Sequence, residues 1–267
     1  MKRCFAITIL LCGICAAQNL TSVQIYDQFT GRFLDSSKWL TTPTCSATVF
    51  LDTDASLNLP DCAREIQGNK LRLMVKTYGN RLSDVGRQFG PAELYFINPN
   101  AINTITTTLT VKRADAVACP TNTAQYSSIS QTIFGGNYFN AGTGDTRDDV
   151  VALIIVEHDP PTPAGELLVT ALVFSPNAFF GVASLGTVGF EESLTATVKW
   201  DQANHQFTFR AESSGLTSTA NIPYSAPDTN PATTPVKLLA ARGFAPNCTS
   251  RQAAASMDVL FDNVRIN

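Results

Sequence analysis

"MDVLFDNVRIN", residues 257–267, ends the chain with the alternation of a β-strand. Side chains two residues apart in a strand point to the same face. One face therefore carries the apolar residues Leu260, Val264 and Ile266. Asp262 falls in the middle of this set, where an uncompensated carboxylate is costly to bury. The stretch predicts a half-buried strand with one residue that needs an explanation.

The same period of two recurs along the chain. It is clear in "KLRLMVKTY" (70–78), "ITTTLTVKR" (105–113) and "LTATVKW" (194–200). "VVALIIV" (150–156) and "LLVTALVF" (167–174) are nearly all apolar, as expected of strands covered on both faces. Convincing helix patterns are absent. Roughly a dozen short strands predict one all-β domain, a two-sheet antiparallel sandwich or jelly roll.

The first residues have the order of a secretory signal peptide. Lys2 and Arg3 precede the apolar run "FAITILLCGIC" (5–15), and Ala16 and Ala17 follow it. We expect cleavage after Ala17, which leaves residues 18–267 as one secreted, soluble domain. The net charge of -3 gives no indication of a basic surface for binding nucleic acid or an anionic membrane. We expect a monomer.

Four of the seven cysteines lie beyond the signal peptide: Cys45, Cys62, Cys119 and Cys248. An even number in an oxidising compartment favours two disulfide bonds. The segment between Cys45 and Cys62 is rich in Asp, Asn, Ser and Pro, so a disulfide would close a loop there. Cys119 and Cys248 both lie near predicted strand ends. Of the three possible connectivities, we therefore predict Cys45–Cys62 and Cys119–Cys248.

Three stretches resemble strands of the concanavalin A-like family of lectins, glucanases and laminin-G-type domains. "IYDQFTGRFLDSSKW" (25–39) resembles the opening of such domains, "GNKLRLMV" (68–75) the next strand and "LFDNVRI" (260–266) the closing strand. The resemblance runs from about residue 25 to the end of the chain. It implies a two-sheet antiparallel jelly-roll sandwich, and it implies a glycan or another extracellular ligand as the partner.

The carboxylates do not follow the pattern of the related glucanases. Those enzymes present several carboxylates on one face of a strand, and retaining hydrolysis needs two carboxyls about 5 Å apart. Here only Glu157 and Glu166, which flank a predicted hairpin loop, are placed to meet. We therefore favour a non-catalytic binding module. The alternatives are a glycan-cleaving enzyme that uses this pair and a structural or adhesive domain that recognises protein.

The most suggestive binding segment is "FGGNYFNAGTGD" (134–145). Asn137 and Asn140 offer donors and acceptors, and Tyr138 offers an apolar ring face to a sugar. The alternative is a long hairpin connection with Tyr138 and Phe139 packed inward. Trp39 and Trp200 lie on apolar faces, which favours the core for both.

Asp262 admits three solutions. A bulge at residues 262–263 can turn the side chain outward. Alternatively, backbone amides of the first strand can donate hydrogen bonds to the carboxylate. The third solution is a structural calcium ion, which takes about six to eight oxygen ligands. The resemblance implies calcium at an aspartate of the closing strand, and Asp27 on the opening strand would then be a second ligand.

Overall fold

The computed structural model describes residues 23–40, 48–50, 61–122 and 128–267, with the backbone alone for 48–50. The predicted signal peptide (1–17) and Cys45 lie outside these residues. Strands make up the regular secondary structure of the described chain, apart from three short 3₁₀ turns at Pro99–Ala101, Thr146–Asp148 and Gln202–Asn204. No helix among the described residues has the length and apolar character needed to cross a membrane.

One sheet has eight strands. They are β1 (Gln24–Asp27), β4 (Asp61–Gln67), β5 (Lys70–Tyr78), β7 (Thr104–Val117), β12 (Ser193–Asp201), β13 (Gln206–Glu212), β14 (Thr217–Pro223) and β17 (Ala254–Ile266). Their order is β14-β13-β12-β7-β17-β5-β4, and β1 also pairs with β17. The first and last strands of the described chain are therefore neighbours.

The other sheet has nine strands. They are β2 (Trp39–Leu40), β3 (Thr48–Phe50), β6 (Arg87–Phe96), β8 (Ile129–Asn140), β9 (Asp149–His158), β10 (Glu166–Ser175), β11 (Ala178–Gly189), β15 (Asn230–Pro231) and β16 (Lys237–Pro246). Their order is β11-β10-β9-β8-β16-β6-β2, with β15 beside β8 and β3 beside β6. All pairings within the two sheets are antiparallel. The fold is a two-sheet antiparallel jelly-roll sandwich, which confirms the predicted fold class.

The core lies between the two sheets, and alternation along each strand fills it. On β5, Leu71, Leu73 and Val75 are fully buried, whereas the residues between them are partly exposed. The aromatic ring of Trp39 is likewise fully buried, next to Tyr26 and Phe96. Trp39 is a core residue, as predicted.

The closing strand β17 corrects the face that the sequence assigned to Leu260. Phe261 is fully buried, and Leu260 and Asp262 are partly exposed on the opposite face. A bulge between Asp262 and Arg265 then interrupts the pairing with β7 and brings Val264 into the core. The bulge, one of the three solutions that the sequence leaves open, is therefore present. Asp262 lies away from the core, and its Oδ1 accepts a hydrogen bond from the backbone N–H of Asn263 at 2.7 Å.

A disulfide joins Cys119, just after β7, to Cys248, just after β16. The Cα atoms are 5.5 Å apart, and both residues are buried. This pairing confirms one of the two predicted disulfides. Cys62 is also disulfide-bonded, but its predicted partner Cys45 lies outside the described residues.

Candidate ligand-binding cleft

The three residues predicted to bind a ligand lie on β8 rather than in a loop. Tyr138 is buried, and its ring packs edge-on against Phe207. Asn140 is also buried: its Nδ2 donates to Asp149 Oδ1, and its Oδ1 accepts from the backbone of the following turn. Asn137 is partly exposed and donates to the carbonyl of Thr234. These positions favour the inward-packed alternative for Tyr138, and a ligand role for the three residues stays a prediction.

Tyr138 nevertheless forms one wall of a cleft at the end of the sandwich. The cleft has a volume of about 200 Å³ and lies where β12 ends and β15 begins. Most of its lining is polar or aromatic: Asn100, Tyr138, Trp200, Gln202, Asp228, Thr229, Asn230 and Pro231. The cleft therefore combines amide groups, a carboxylate and aromatic rings within a small volume.

A short turn brings His205 to the Asp228 carboxylate beside this cleft. β12 ends at Asp201, and the 3₁₀ turn Gln202–Asn204 reverses the chain. His205 then adopts a left-handed conformation (φ 48°), and its carbonyl accepts a hydrogen bond from the N–H of Tyr224. The His205 Nδ1 atom lies 3.0 Å from Asp228 Oδ2. Gln202 also holds this segment, because its Nε2 donates to the Asp228 carbonyl.

A chain of hydrogen bonds fixes the carboxylate of Asp228. Trp200 Nε1 donates to the Tyr224 hydroxyl at 2.7 Å, and this hydroxyl donates to Asp228 Oδ2 at 2.6 Å. Burial, followed by the hydrogen bond to Asp228, raises the pKa of Tyr224, so its hydroxyl stays protonated and remains a donor. Asp228 Oδ1 accepts no hydrogen bond from any described residue. The side chain is only 4% exposed, so one oxygen is fixed and the other remains available at the cleft.

The indole of Trp200 gives the cleft an apolar surface. One of its faces stacks on Phe139 with ring centroids 5.4 Å apart. The residue is still partly exposed where it lines the cleft. Trp200 therefore belongs to both the core and the cleft, whereas its sequence pattern predicts the core alone.

Glu157 and Glu166, the predicted acid pair, lie on neighbouring strands. Leu168 lies directly opposite Glu157, and Glu166 lies two residues before Leu168, at the start of β10. Burial, followed by the charge of Asp159, raises the pKa of Glu157, whereas Glu166 is exposed. No hydrogen bond connects the two carboxyls within the described structure.

The sheet face next to this pair is polar at Gln131 and Arg242 and apolar further along the strands. A second apolar cluster, separate from the main core, lies on strands β8, β9 and β16 of the nine-stranded sheet. It consists of Ile133, Leu153, Leu238 and Ala240. This part of the face is filled by its own side chains, and at its border the Glu93 carboxylate, opposite Ala240, accepts hydrogen bonds from Arg242 and from the Tyr95 hydroxyl.

Asp27 and Asp262, the predicted calcium ligands, differ in their surroundings. Asp27 is buried, and its two oxygens accept from the backbone N–H of Phe29 and from Trp39 Nε1. Asp262 is partly exposed and accepts from its neighbouring residue. Among the described residues, the one group of three potential side-chain ligands is Asp84 with the disulfide-bonded Cys119 and Cys248. The described residues therefore assemble no carboxylate cage around Asp262, and calcium binding stays a prediction.

The sequence pattern gives little indication of Asp228. It lies in "YSAPDTNPATTPV" (224–236), which the sequence presents as a proline-rich surface loop. His205 likewise fits a turn residue. The available signal is that Asp228 and Asn230 lie among prolines, shortly after Tyr224, which ends a strand pattern. This signal is weak because the residues of the cleft come from distant parts of the chain.

No protein-family model and no curated protein sequence matches the chain. Solved structures of similar fold include an endo-β-galactosidase from Clostridium perfringens that releases GlcNAcα1-4Gal (9% identity, TM-score 0.45, 90% of this chain and 61% of that chain). They also include a glycosyl hydrolase family 16 protein from Mycobacterium smegmatis (12% identity, TM-score 0.41, 92% and 99%). A third is lectin II from Ulex europaeus (9% identity, TM-score 0.30, 81% and 96%). The chain thus spans less than two thirds of the endo-β-galactosidase.

Proposed function

We propose that this protein is a secreted, non-catalytic module that binds a glycan in the cleft around Asp228. The proposal rests on the hydrogen bonding of the Asp228 carboxylate. Tyr224 and His205 contact one of its oxygens, and the other oxygen has no hydrogen-bond partner among the described residues. A carboxylate fixed in this way accepts hydrogen bonds from sugar hydroxyls without losing side-chain entropy on binding.

The remaining groups of the cleft suit the two kinds of surface that a sugar offers. The amides of Asn100, Gln202 and Asn230 supply donors and acceptors for hydroxyls. Trp200 supplies an apolar surface for the C–H face of a pyranose ring. Pockets with a few convergent polar groups beside aromatic rings are typical ligand sites.

The size and charge of the cleft narrow the class of glycan. Its volume of about 200 Å³ is below the ~300–1,000 Å³ of sites for drug-sized ligands. It therefore suits one sugar ring rather than a stretch of polysaccharide. The Asp228 carboxylate repels acidic sugars, since like charges in a partly desolvated site are unfavourable. We propose a neutral sugar at the end of a glycan as the ligand.

Export is part of the same proposal. A buried disulfide between Cys119 and Cys248 fits an oxidising compartment. The segment 1–17 has the composition of a signal peptide. Amino-terminal sequencing of the protein from the medium of an expressing culture would test the proposed cleavage after Ala17.

A glycan array followed by calorimetric titration tests the binding site. We expect the wild-type protein to bind terminal neutral sugars and Asp228→Asn to bind them about 10- to 100-fold more weakly, as for loss of a hydrogen bond to a charged acceptor. Asp201→Asn is the matched control, because Asp201 ends β12 beside the cleft but does not line it. Undiminished binding by a folded Asp228→Asn variant would rule out this cleft.

Glycan cleavage is the second candidate, and the raised pKa of Glu157 favours it. A raised pKa favours the protonated form of a carboxyl, which is the form that acts as a general acid. Hydrolysis or lyase activity on a polysaccharide panel, lost in both Glu157→Gln and Glu166→Gln, would establish this function. An adhesive, protein-binding domain is the third candidate. It predicts no binding on the glycan array and no polysaccharide cleavage by the wild type, by Glu157→Gln or by Glu166→Gln.

A further inference from the structure

The four outer edges of the two sheets differ in how they are protected from pairing with another strand. An exposed edge strand offers unpaired N–H and C=O groups, and proteins usually protect it with charges, proline or a short length. Edge strand β4 carries Asp61, Arg64 and Glu65, and edge strand β14 is seven residues long and ends in Pro223. At the β2 end of the nine-stranded sheet, the edge strands have two and three residues.

The edge strand β11 lacks charges, proline and a short length, and its protection is limited to two irregularities in its pairing with β10. Its twelve residues, "AFFGVASLGTVG", include no charged residue and no proline. Phe179 is 67% exposed and Val182 is 57% exposed. No other strand of the nine-stranded sheet pairs with its outer edge in the described structure. A long, uncharged, apolar edge of this kind is a pairing surface.

An apolar cleft lies beside the exposed residues of β11. It has a volume of about 400 Å³, and its walls include Leu172, Phe174 and Pro176 together with Phe179 itself. The same patch therefore offers both a protruding aromatic side chain and an apolar recess. This patch therefore adds exposed apolar surface at one end of the edge strand.

Two irregularities define the part of the edge that is regular enough to pair. The register of β10 with β11 shifts between Val169 and Thr170 and again between Val173 and Phe174. Between these shifts, Thr170–Val173 pairs regularly with Gly181–Ser184. The regular stretch thus includes Val182. Phe179 lies just before the stretch begins.

We propose that β11 pairs with β11 of a second copy of this chain, antiparallel and about a two-fold axis through the stretch 181–184. A strand without charged residues meets its own copy without like-charge repulsion. The two copies then cover each other's Phe179 and Val182 and join the two nine-stranded sheets edge to edge. The inference does not depend on the proposed function, and it replaces the expectation of a monomer.

Light scattering coupled to size exclusion, with sedimentation velocity over a concentration series, tests this proposal. We expect twice the chain mass for the wild type, and the single-chain mass for Ser184→Lys and Phe179→Glu. Ser184 is exposed on the regular stretch of the edge, so a lysine there introduces charge repulsion between copies without removing apolar surface.

Two matched controls distinguish edge pairing from general effects of charge or lost apolar area. Ser193→Lys places the same charge on the interior strand β12 of the other sheet, and Phe33→Glu removes a phenylalanine that is 79% exposed elsewhere. Both controls should remain dimeric, with unchanged far-ultraviolet circular dichroism in all variants. A monomeric wild type, or a dimer that Ser184→Lys and Phe179→Glu leave intact, would overturn the proposal.

Discussion

Asp262 shows how one inserted residue decides the environment of a side chain. Strict alternation along the final strand places Asp262 with Leu260 and Val264, and a bulge instead separates Leu260 from Val264. The sequence indicates that alternation must break near this carboxylate, since burial without a partner is costly. It does not indicate on which side of the break Phe261 lies. That choice depends on packing against the opposite sheet, which a single strand's pattern does not contain.

We predict that Asp262→Ala lowers the free energy of unfolding by about 1 kcal/mol, the typical worth of one intramolecular hydrogen bond. The lost bond is the one from the N–H of Asn263, which has a left-handed φ of 50° within the bulge. Urea denaturation measures the change. Asp262→Asn, which keeps an acceptor oxygen, is the control and should unfold close to wild type.

The calcium proposal for Asp262 and Asp27 makes a different prediction for the same proteins. If calcium binds there, chelator lowers the wild-type melting midpoint, because a ligand bound only to the folded state stabilises it. Asp262→Ala then melts at the same temperature with calcium or with chelator. A wild-type midpoint that is identical in calcium and in chelator would exclude calcium as a ligand of these two residues.

For the secondary-structure elements, the alternation of apolar and polar residues predicts the strands well, whereas glycines within a strand are mistaken for a loop. The stretch 70–78 matches β5 residue for residue, and 105–113 lies within β7. In contrast, Gly135 and Gly136 indicate a loop, whereas both lie within strand β8. Their φ angles are 129° and 150°, and a Cβ on either would meet the backbone carbonyl of Ala152 or Val236. These glycines allow neighbouring strands to approach closely, a role that local sequence does not distinguish from a turn.

The disulfide between Cys119 and Cys248 connects two elements that are far apart in sequence, and its removal should be correspondingly costly. The two cysteines are 129 residues apart, and closing a loop of about 100 residues is worth about 4–5 kcal/mol in the chain-entropy model. We predict that the double variant Cys119→Ser/Cys248→Ser loses about 4 kcal/mol of unfolding free energy. Non-reducing urea denaturation measures the loss. Ser128→Ala, at a buried residue that bonds to the start of β17, provides a comparison for local effects. A loss below about 1 kcal/mol would contradict this account.

For the whole molecule, the sequence predicts the fold much better than the site. The two ends of the chain, the alternating strands and one disulfide all follow from patterns within short segments. The cleft instead brings together Asn100, Tyr138, Trp200 and Asp228, each from a different element. Each residue alone has an ordinary structural interpretation. The pairing of β15 with β8 and the hydrogen bonds from Gln202 and Tyr224 place the loop of Asp228 beside the others. Site residues drawn from distant segments carry no shared local pattern, so their position must come from the structure.

Lys237 links the pH of the solution to the stability of the whole molecule. The residue is 1% exposed, and its Nζ donates to the carbonyls of Pro99 and Asn137 and lies 4.1 Å from the ring centroid of Tyr138. Burial lowers the pKa of this lysine to about 7. No ion pair of Lys237 with a carboxylate occurs among the described residues, so no opposing charge offsets the effect of burial.

The sign of the effect follows from counting protons in the two states. In the unfolded chain a lysine has a pKa of about 10.4, so between about pH 7 and pH 10 it binds a proton that the folded Lys237 has lost. Stability rises with pH wherever the unfolded state binds more protons. We therefore predict that the free energy of unfolding of wild type, relative to Lys237→Met, rises from about pH 7 to about pH 9.5, by at most about 1.4 kcal/mol per pH unit. Lys199→Met, which removes an exposed lysine from β12, should keep the wild-type slope. Urea denaturation at a series of pH values measures the free energy of unfolding of all three proteins. If the difference in this free energy between wild type and Lys237→Met does not change with pH, the prediction is wrong. The two carbonyls and the Tyr138 ring then keep Lys237 charged in the folded state.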